Sequence, residues 1–539
     1  MKQTIAVLAL CAVTVWTSGA QAFCGFYVSG ADASLYNNAT MVVMMREGTR
    51  TVLSMQNNYQ GPPEDFAMVV PVPVVLQKAN VKTLPREIFD RVDKLAAPRL
   101  VEYWEQDPCQ PIMVQEMAMA AGAPTARRGK SMDGAEADYG VTIEAQFKVA
   151  EYDIVVLSAK DSGGLDKWLR KNKYNIPKGA DKVLRPYVEQ NTKFFVAKVD
   201  AEKVKFKDGR AVLSPLRFHY DSPTFSLPVR LGLLNSSGVQ DLIVHILAKG
   251  QRYEVANYKN ASIPTNIRVE DSVRDSFGAF YNALFDRTTE KNPGAVVTEY
   301  SWDATSCDPC PEPPLTPQEL STLGGDVIVP TKPDPYSDIQ GVVPARRRVR
   351  PFQPYGFVLT RLHYRYDKDG LDEDLVFRAA GPIVGGRGMP NQSGELRERR
   401  AEASSINNFQ GRYVMLHPWE GAIACDNPVR GMWGGPLGKP EPRPFAAPNT
   451  MLKGATTPVL TNQLPGLIAD DIPELDLKAG KKLAPEPEPT PQDGSGSATG
   501  GASTNTAEGC SVGAIQTASL GWIVLVFVAM WLGRRRAAR

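Results

Sequence analysis

The chain has 539 residues, 61 of them basic and 59 acidic, and a formal net charge of +2. Near-balance leaves no global positive field to draw in nucleic acid, so that class of partner is excluded. Only four histidines occur, His219, His245, His363 and His417, and no HExxH, GxSxG, GxGxxG or EF-hand pattern accompanies them, which removes the commoner hydrolase, dinucleotide and calcium-loop signatures.

Lys2 gives a short positive segment, Thr4 to Trp16 an apolar one, and Ala20-Gln21-Ala22 a small-x-small site. This is an export signal, cut between Ala22 and Phe23; its apolar run is too short to span a membrane. Cys24 follows Phe23, where lipoprotein processing needs a small residue.

Residues 23–438 form the exported body, long enough for a sizeable core. Met41 to Arg46 and Thr51 to Gln60 read as paired strands, and Asp65 to Val70 as a strand that Pro71 and Pro73 place at a sheet edge or carry out of the sheet. Ile88, Phe89, Val92 and Leu95 fall on one helical face behind Pro85. Met113 to Asp138 is small and flexible around Arg127-Arg128-Gly129-Lys130-Ser131. Pro124 sits where a phosphate loop needs its first glycine, so a mobile basic loop is expected instead.

Val141 to Val149 alternates polar with apolar, Tyr152 to Leu157 is a more buried strand, and Leu165, Trp168 and Leu169 mark a short helix. Val183 to Val188 makes a second helix and Phe194 to Val199 a strand. Leu213 to Tyr220, Val239 to Leu247 and Arg252 to Tyr258 add strands, with Lys249-Gly250 as a hairpin turn. Val273, Phe277, Phe280, Tyr281 and Leu284 define the longest amphipathic helix, and Thr316-Pro317-Gln318-Glu319 is a capping box between Leu315 and Leu320. Phe357 to Tyr366 and Leu375 to Phe377 bracket an acidic hairpin, and Tyr413 to Leu416 is the last strand. Helices and strands do not alternate regularly, so the expected class is α+β, with largely antiparallel β-sheets and several short helices.

Residues 439–483 are a Pro-rich extension and 484–510 a disordered stalk, in which prolines alternate with Glu and Thr before a Gly/Ser/Thr/Ala tract. Ser511 to Gly533 would extend about 34 Å as a helix at ~1.5 Å per residue, enough for the hydrocarbon layer. Arg534, Arg535 and Arg536 should stay cytoplasmic and leave the body outside.

Outside the cytoplasm Cys24, Cys109, Cys307, Cys310 and Cys425 are disulfide candidates, with connectivity open and Cys510 set apart in the tail. Cys307-Asp308-Pro309-Cys310 has the spacing of a redox pair, but prolines follow it rather than a helix N-terminus, and Asp303 and Asp308 disfavour a thiolate. No second CxxC completes a zinc site. Asp367, Asp369, Asp372 and Asp374 surround Gly370 as weak calcium ligands; their spacing misses the twelve-residue loop, and a hairpin turn is the plainer reading. Arg346, Arg347, Arg348 and Arg350 are a solvated loop, or else a contact for anionic polysaccharide or lipid phosphate. Trp104, Trp168, Trp302, Trp419 and Trp433 are scattered, as core residues would be. No cofactor and no catalytic residue is expected.

Several blocks carry a resemblance: Cys24-Gly25, Tyr59-Gln60-Gly61 with Asp65 to Pro73, Leu165 to Leu169, Trp302-Asp303 through Cys310, and Leu359 to Tyr366. They resemble the exported bacterial family called domain of unknown function 2330. Cys510, the apolar helix and the arginine cluster resemble the Myxo-type C-terminal sorting tail. The family resemblance implies export and surface display and assigns no activity. The tail resemblance implies processing or lipid attachment at Cys510, a permanent single-span anchor being the alternative. Together they imply export and sorting machinery and the membrane as partners, and an envelope polysaccharide or protein as a further one. The expected protein is an envelope-anchored, non-catalytic binding or structural domain on a stalk. Alternatives are an extracytoplasmic hydrolase using carboxylates and a thiol-redox protein using the CxxC.

Overall fold

The computed structural model describes residues 26–28, 40–56, 67–109, 140–172, 174, 179–207, 210–235, 239–328, 355–367, 370–434, 446–448 and 462–480. The signal cleavage site at Ala22 and Phe23, Cys24, the Arg346 to Arg350 run, Asp369, the stalk, the 511–533 span and Cys510 lie outside them. Among the described residues no helix is long and apolar enough to cross a membrane.

The fold is mixed, with few helices and mostly antiparallel sheets. The central sheet runs, from one edge, through Glu402–Ala403, Ile383–Gly385, Asn408–Gln410, Ala295–Asp303, Phe357–Tyr366 and Gln240–Lys249. It continues through Thr40–Glu47, Arg50–Met55, Leu216–Asp221 and Val81–Thr83. Phe357–Tyr366 and Gln240–Lys249 pair antiparallel over their whole length, from Phe357 opposite Lys249 to Tyr366 opposite Gln240. Gln240–Lys249 meets Thr40–Glu47 in parallel, and these β-branched and aromatic runs suit a sheet covered on both faces.

A second sheet of five antiparallel strands, ordered Phe26–Val28, Ala67–Val72, Lys193–Val199, Tyr152–Ala159 and Val141–Val149, packs on one of those faces. Met68, Val70, Phe195, Ala197, Ile154 and Val156 meet Val42, Met44, Leu53, Val244, Ile246 and Leu362 there, all of them buried. Ala67–Val72 is internal to its sheet, not at the edge its prolines suggest. Its Phe26–Val28 neighbour stops at Val69, so Pro71 is opposed on one side only, by Phe194.

The opposite face is covered by helices. Glu87–Ala96 lays Ile88, Phe89, Val92 and Leu95 on Met41, Val43, Leu247 and Leu359. The capping box forms as expected: Thr316 Oγ1 accepts from Glu319 N at 3.2 Å and Glu319 Oε2 from Thr316 N at 2.8 Å, with Leu315 and Leu320 both buried. Phe277–Lys291 packs against Val297, Phe409, Tyr413 and Met415. Its other side meets Leu464, Ile468, Ile472, Leu475 and Leu477, so folded structure reaches well into the Pro-rich extension, beyond its expected end near Gly438.

Two expected hairpins do not form. Gly250 does turn the chain at φ +62°, but Arg252–Val255 leaves the central sheet to pair with Leu375–Ala380. Leu375–Ala380 therefore pairs there and with Ser226–Leu227, not with Phe357–Tyr366. A last small sheet aligns Ile267–Arg268, Arg412–His417 and Arg99–Glu105 in parallel, with Trp433–Gly434 antiparallel beyond.

Candidate functional site

Strand alternation places acid and histidine side chains together in two places. On Phe357–Tyr366, Leu362, Tyr364 and Tyr366 face the sandwich core, while Phe357 and Leu359 face the helices. Arg361, His363 and Arg365 share the parity of the second set, so the strand sends its charged side chains under the helical layer. Asp241 and His245 arrive from Gln240–Lys249 by the same alternation. Glu299 keeps the parity of Val297, which faces the long helix, and the bulge between Thr298 and Tyr300 turns Tyr300 and Trp302 to the helical side as well.

His363 presents Nδ1 to Glu299 Oε1 at 2.7 Å and Nε2 to Asp241 Oδ1 at 3.0 Å. Arg361 Nε donates to Glu299 Oε2 at 2.6 Å and its Nη1 to Asp93, brought by Glu87–Ala96. Arg365 donates to both Asp241 oxygens at 2.7 and 3.0 Å and to Asp286 of the long helix. Tyr281 donates to Glu299, and the Phe285 ring stacks on His363 with centroids 3.8 Å apart.

With a carboxylate at each ring nitrogen, His363 is an imidazolium donating twice. Burial opposes that charge, yet Glu299 and Asp241 raise its pKa. Burial likewise opposes ionisation of Glu299, but His363 and Arg361 hold it down to about 2. Asp241 is held well below the carboxylate range by His363 and Arg365 against the same burial. His245 is different: burial, then Arg361, push it well below its usual value. It is neutral, its Nε2 3.3 Å from Arg361 Nη1, which can only donate. His245 Nδ1 then carries the proton and has no partner among the described residues.

Glu299 is 0 % exposed, Asp241 1 % and His363 5 %. Every charge of this network is met by another, and no ligating or basic atom of its acid–histidine core faces solvent. It holds helices to sheet.

The second meeting place is shallower. Glu102 Oε2 lies 2.7 Å from His417 Nε2 and 2.8 Å from Arg274 Nη2, and Trp104, two residues along the strand, stacks on His417 at 4.8 Å. Burial opposes the Glu102 charge, but hydrogen bonds from His417 and Arg274 hold its pKa below the usual value. Arg274 Nη2 also lies 3.2 Å from His417 Nε2, so that nitrogen meets a carboxylate and a guanidinium at once. The His417 side chain is 19 % exposed and Arg274 30 %. Glu105, beyond Trp104, accepts from the backbone of Trp419 at 2.9 Å and Gly431 at 2.6 Å.

The other expected residues are placed as follows. Cys109 and Cys425 are at disulfide-compatible spacing, Cα atoms 5.6 Å apart, as are Cys307 and Cys310 at 4.9 Å. Of the calcium candidates, the described Asp367 and Asp374 turn to different partners. Asp367 accepts from Gly370 N at 2.8 Å within the turn, while Asp374 turns inward to Tyr187 OH and the Val229 amide, at 2.7 and 2.9 Å. Among the described residues no three His, Cys, Asp or Glu side chains gather as metal ligands would. Trp168 and Trp302 are core residues, whereas Trp104, Trp419 and Trp433 are half-buried around the small sheet.

Sequence reading named the histidines but missed Glu299, Asp241, Asp93, Arg361 and Arg365. The available signal was the Arg361, His363, Arg365 alternation, which a solvent-facing strand would share.

No curated protein and no solved structure matches the chain. A family model described as "uncharacterized protein conserved in bacteria" matches residues 18–378, a span that holds Glu299 and His363 but ends before His417 and Cys425. The chain therefore belongs to this bacterial family, domain of unknown function 2330.

Proposed function

We propose that this is an exported protein, anchored to the envelope through residues 511–533 or sorted at Cys510, whose body is a non-catalytic binding or structural domain displayed on the 484–510 stalk. The observation that carries the reading is cysteine pairing: each of the four described cysteines lies at disulfide-compatible distance from another, the arrangement expected of an oxidising compartment. The self-satisfied Glu299–His363–Asp241 network supports a structural role for the acids and histidine deepest in the fold. Envelope polysaccharide or another envelope protein is the expected partner. Mass mapping of the mature protein from cell fractions tests this. A start at Phe23, oxidised cysteines and processing or lipid at Cys510 are expected; an uncut, fully reduced chain in the cytosol would overturn it.

A hydrolase is the second reading, favoured by the pairing of buried Glu102 with the partly exposed His417. Glu102 orients the ring as a carboxylate orients a general base. Assay of the purified body on ester, phosphoester and glycoside substrates decides. An activity abolished by His417→Asn supports it, and no turnover, or turnover indifferent to that change, rejects it.

A further inference from the structure

Residues 304–316 leave the central sheet, carry Cys307 and Cys310 across its helical face, and return. The base of this loop is closed by Ala304 N donating to Phe357 O at 2.7 Å and Leu315 N to Ala304 O at 3.0 Å. Its tip is held through backbone carbonyls by donors buried beneath it. Arg99 Nη1 donates to Pro309 O at 3.0 Å and Gln410 Nε2 to Asp308 O. Trp302 Nε1 donates to Ser306 Oγ at 3.1 Å.

Arg99 makes this arrangement consequential. Its side chain is wholly buried, with Leu95 O at 2.6 Å as its other hydrogen-bond acceptor and the Tyr300 ring 5.5 Å beneath it. No carboxylate among the described residues bonds to it. A buried cation satisfied by carbonyls depends on those carbonyls staying in place. The Cys307–Cys310 link fixes the short turn that presents one of them, Pro309 O, together with Asp308 O, which accepts from Gln410.

The two sulfurs are unequally placed. Cys310 is exposed, whereas Cys307 is half-buried against the apolar cluster of Trp302 and Leu315. The following helix starts only at Pro317, too far to stabilise a thiolate at Cys307 as catalytic CxxC sites do. The pair is built to be acted upon rather than to act.

We propose that Cys307–Cys310 is a thiol–disulfide exchange site, attacked at Cys310 by a dithiol reductant of the envelope, and that opening it frees the loop tip from Arg99, Gln410 and Trp302. The reductant thiolate attacks Cys310 Sγ, the Cys307–Cys310 bond breaks, and Cys307 leaves with the electron pair and takes a proton. The reductant's second thiol then displaces Cys310, giving two protein thiols and an oxidised reductant. The link becomes a latch over a buried guanidinium, and its redox state sets the exposure of the Arg99 and Trp302 layer.

The proposal shares with the export reading the premise that the pair is oxidised in the native protein. The test titrates the full protein, isolated from envelopes, with dithiothreitol, following alkylation mass by peptide and tryptophan emission, in wild type and in Trp302→Phe. Expected are alkylation of Cys307 and Cys310 at lower reductant than Cys109 and Cys425, and a concurrent red shift absent from Trp302→Phe. A Cys307→Ser/Cys310→Ser protein should show the shifted emission without reductant; should it not fold, the wild-type titration decides alone. Reduction of both pairs together, or reduction of the first without a Trp302-dependent shift, would overturn the latch alone. Free thiols at all four positions before any reductant is added would overturn the export reading and the latch with it.

Discussion

Glu299 is a residue whose position, not its identity, creates its role. Alternation from Val297 turns Glu299 toward the helical layer, where one carboxylate accepts from His363, Arg361 and Tyr281 at once. Removing one member of such a set leaves the others charged and unmatched, so Glu299→Gln should lower stability to urea by about 3–5 kcal/mol at neutral pH. The pH dependence has two limbs of opposite origin. Glu299 is held at about 2 when folded, so its contribution is present above the unfolded carboxylate value and fades as pH falls toward about 2. The pKa of His363 is raised by folding; its contribution is complete below the unfolded imidazole value of about 6.5 and is lost as pH rises through the folded one. Urea midpoints across pH should therefore decline on both sides. His363→Gln should flatten the alkaline limb and leave an acid one, and an alkaline limb unchanged in that variant would show that His363 is not its source.

At the scale of elements, what could be read from sequence was local, and what could not was pairing. The helices at Ile88, Trp168 and Phe280 and the strands at Val141 and Phe357 are each specified within a dozen residues by a repeat of burial. The Lys249-Gly250 turn is equally local and is present, but partner choice is not encoded there: Arg252–Val255 finds Leu375–Ala380, more than a hundred residues away. The charged positions of Phe357–Tyr366 could not be placed from sequence for a related reason, since only the packed helices decide whether an alternating polar face meets water or protein. The C-terminal segment shows the same limit. Leu464, Ile468, Ile472, Leu475 and Leu477 look sparse among prolines, yet all are at most 1 % exposed against the long helix. Leu475→Ala should accordingly cost about 2–5 kcal/mol, read as a lowered urea midpoint, where a true linker residue would change nothing. The capping box, legible in four consecutive residues, predicts less: Thr316→Ala should remove about 1 kcal/mol, measurable by the same titration.

For the molecule as a whole, the question is what fastens the small sheet. Arg99–Glu105 and Arg412–His417 are parallel neighbours, so no tight turn can join them, and most of the fold lies between them in sequence. Cys109 and Cys425 follow these two strands and close a separation of 316 residues. Glu105 reinforces the junction by accepting from the Trp419 and Gly431 amides on either side of Cys425. Constraining the unfolded chain over so long a loop stabilises more than a three-residue link can, by loop entropy alone. Replacing both Cys109 and Cys425 by serine should thus lower stability by about 2–4 kcal/mol, and the same change at Cys307 and Cys310 by clearly less. Hydrogen exchange adds the location: Arg412–His417 amides should lose protection in the first variant while Gln240–Lys249, bonded on both edges at the centre of the large sheet, keeps its own. Equal loss of protection in both strands would mean that the long cross-link supports the fold uniformly, and that the small sheet has no separate dependence on it.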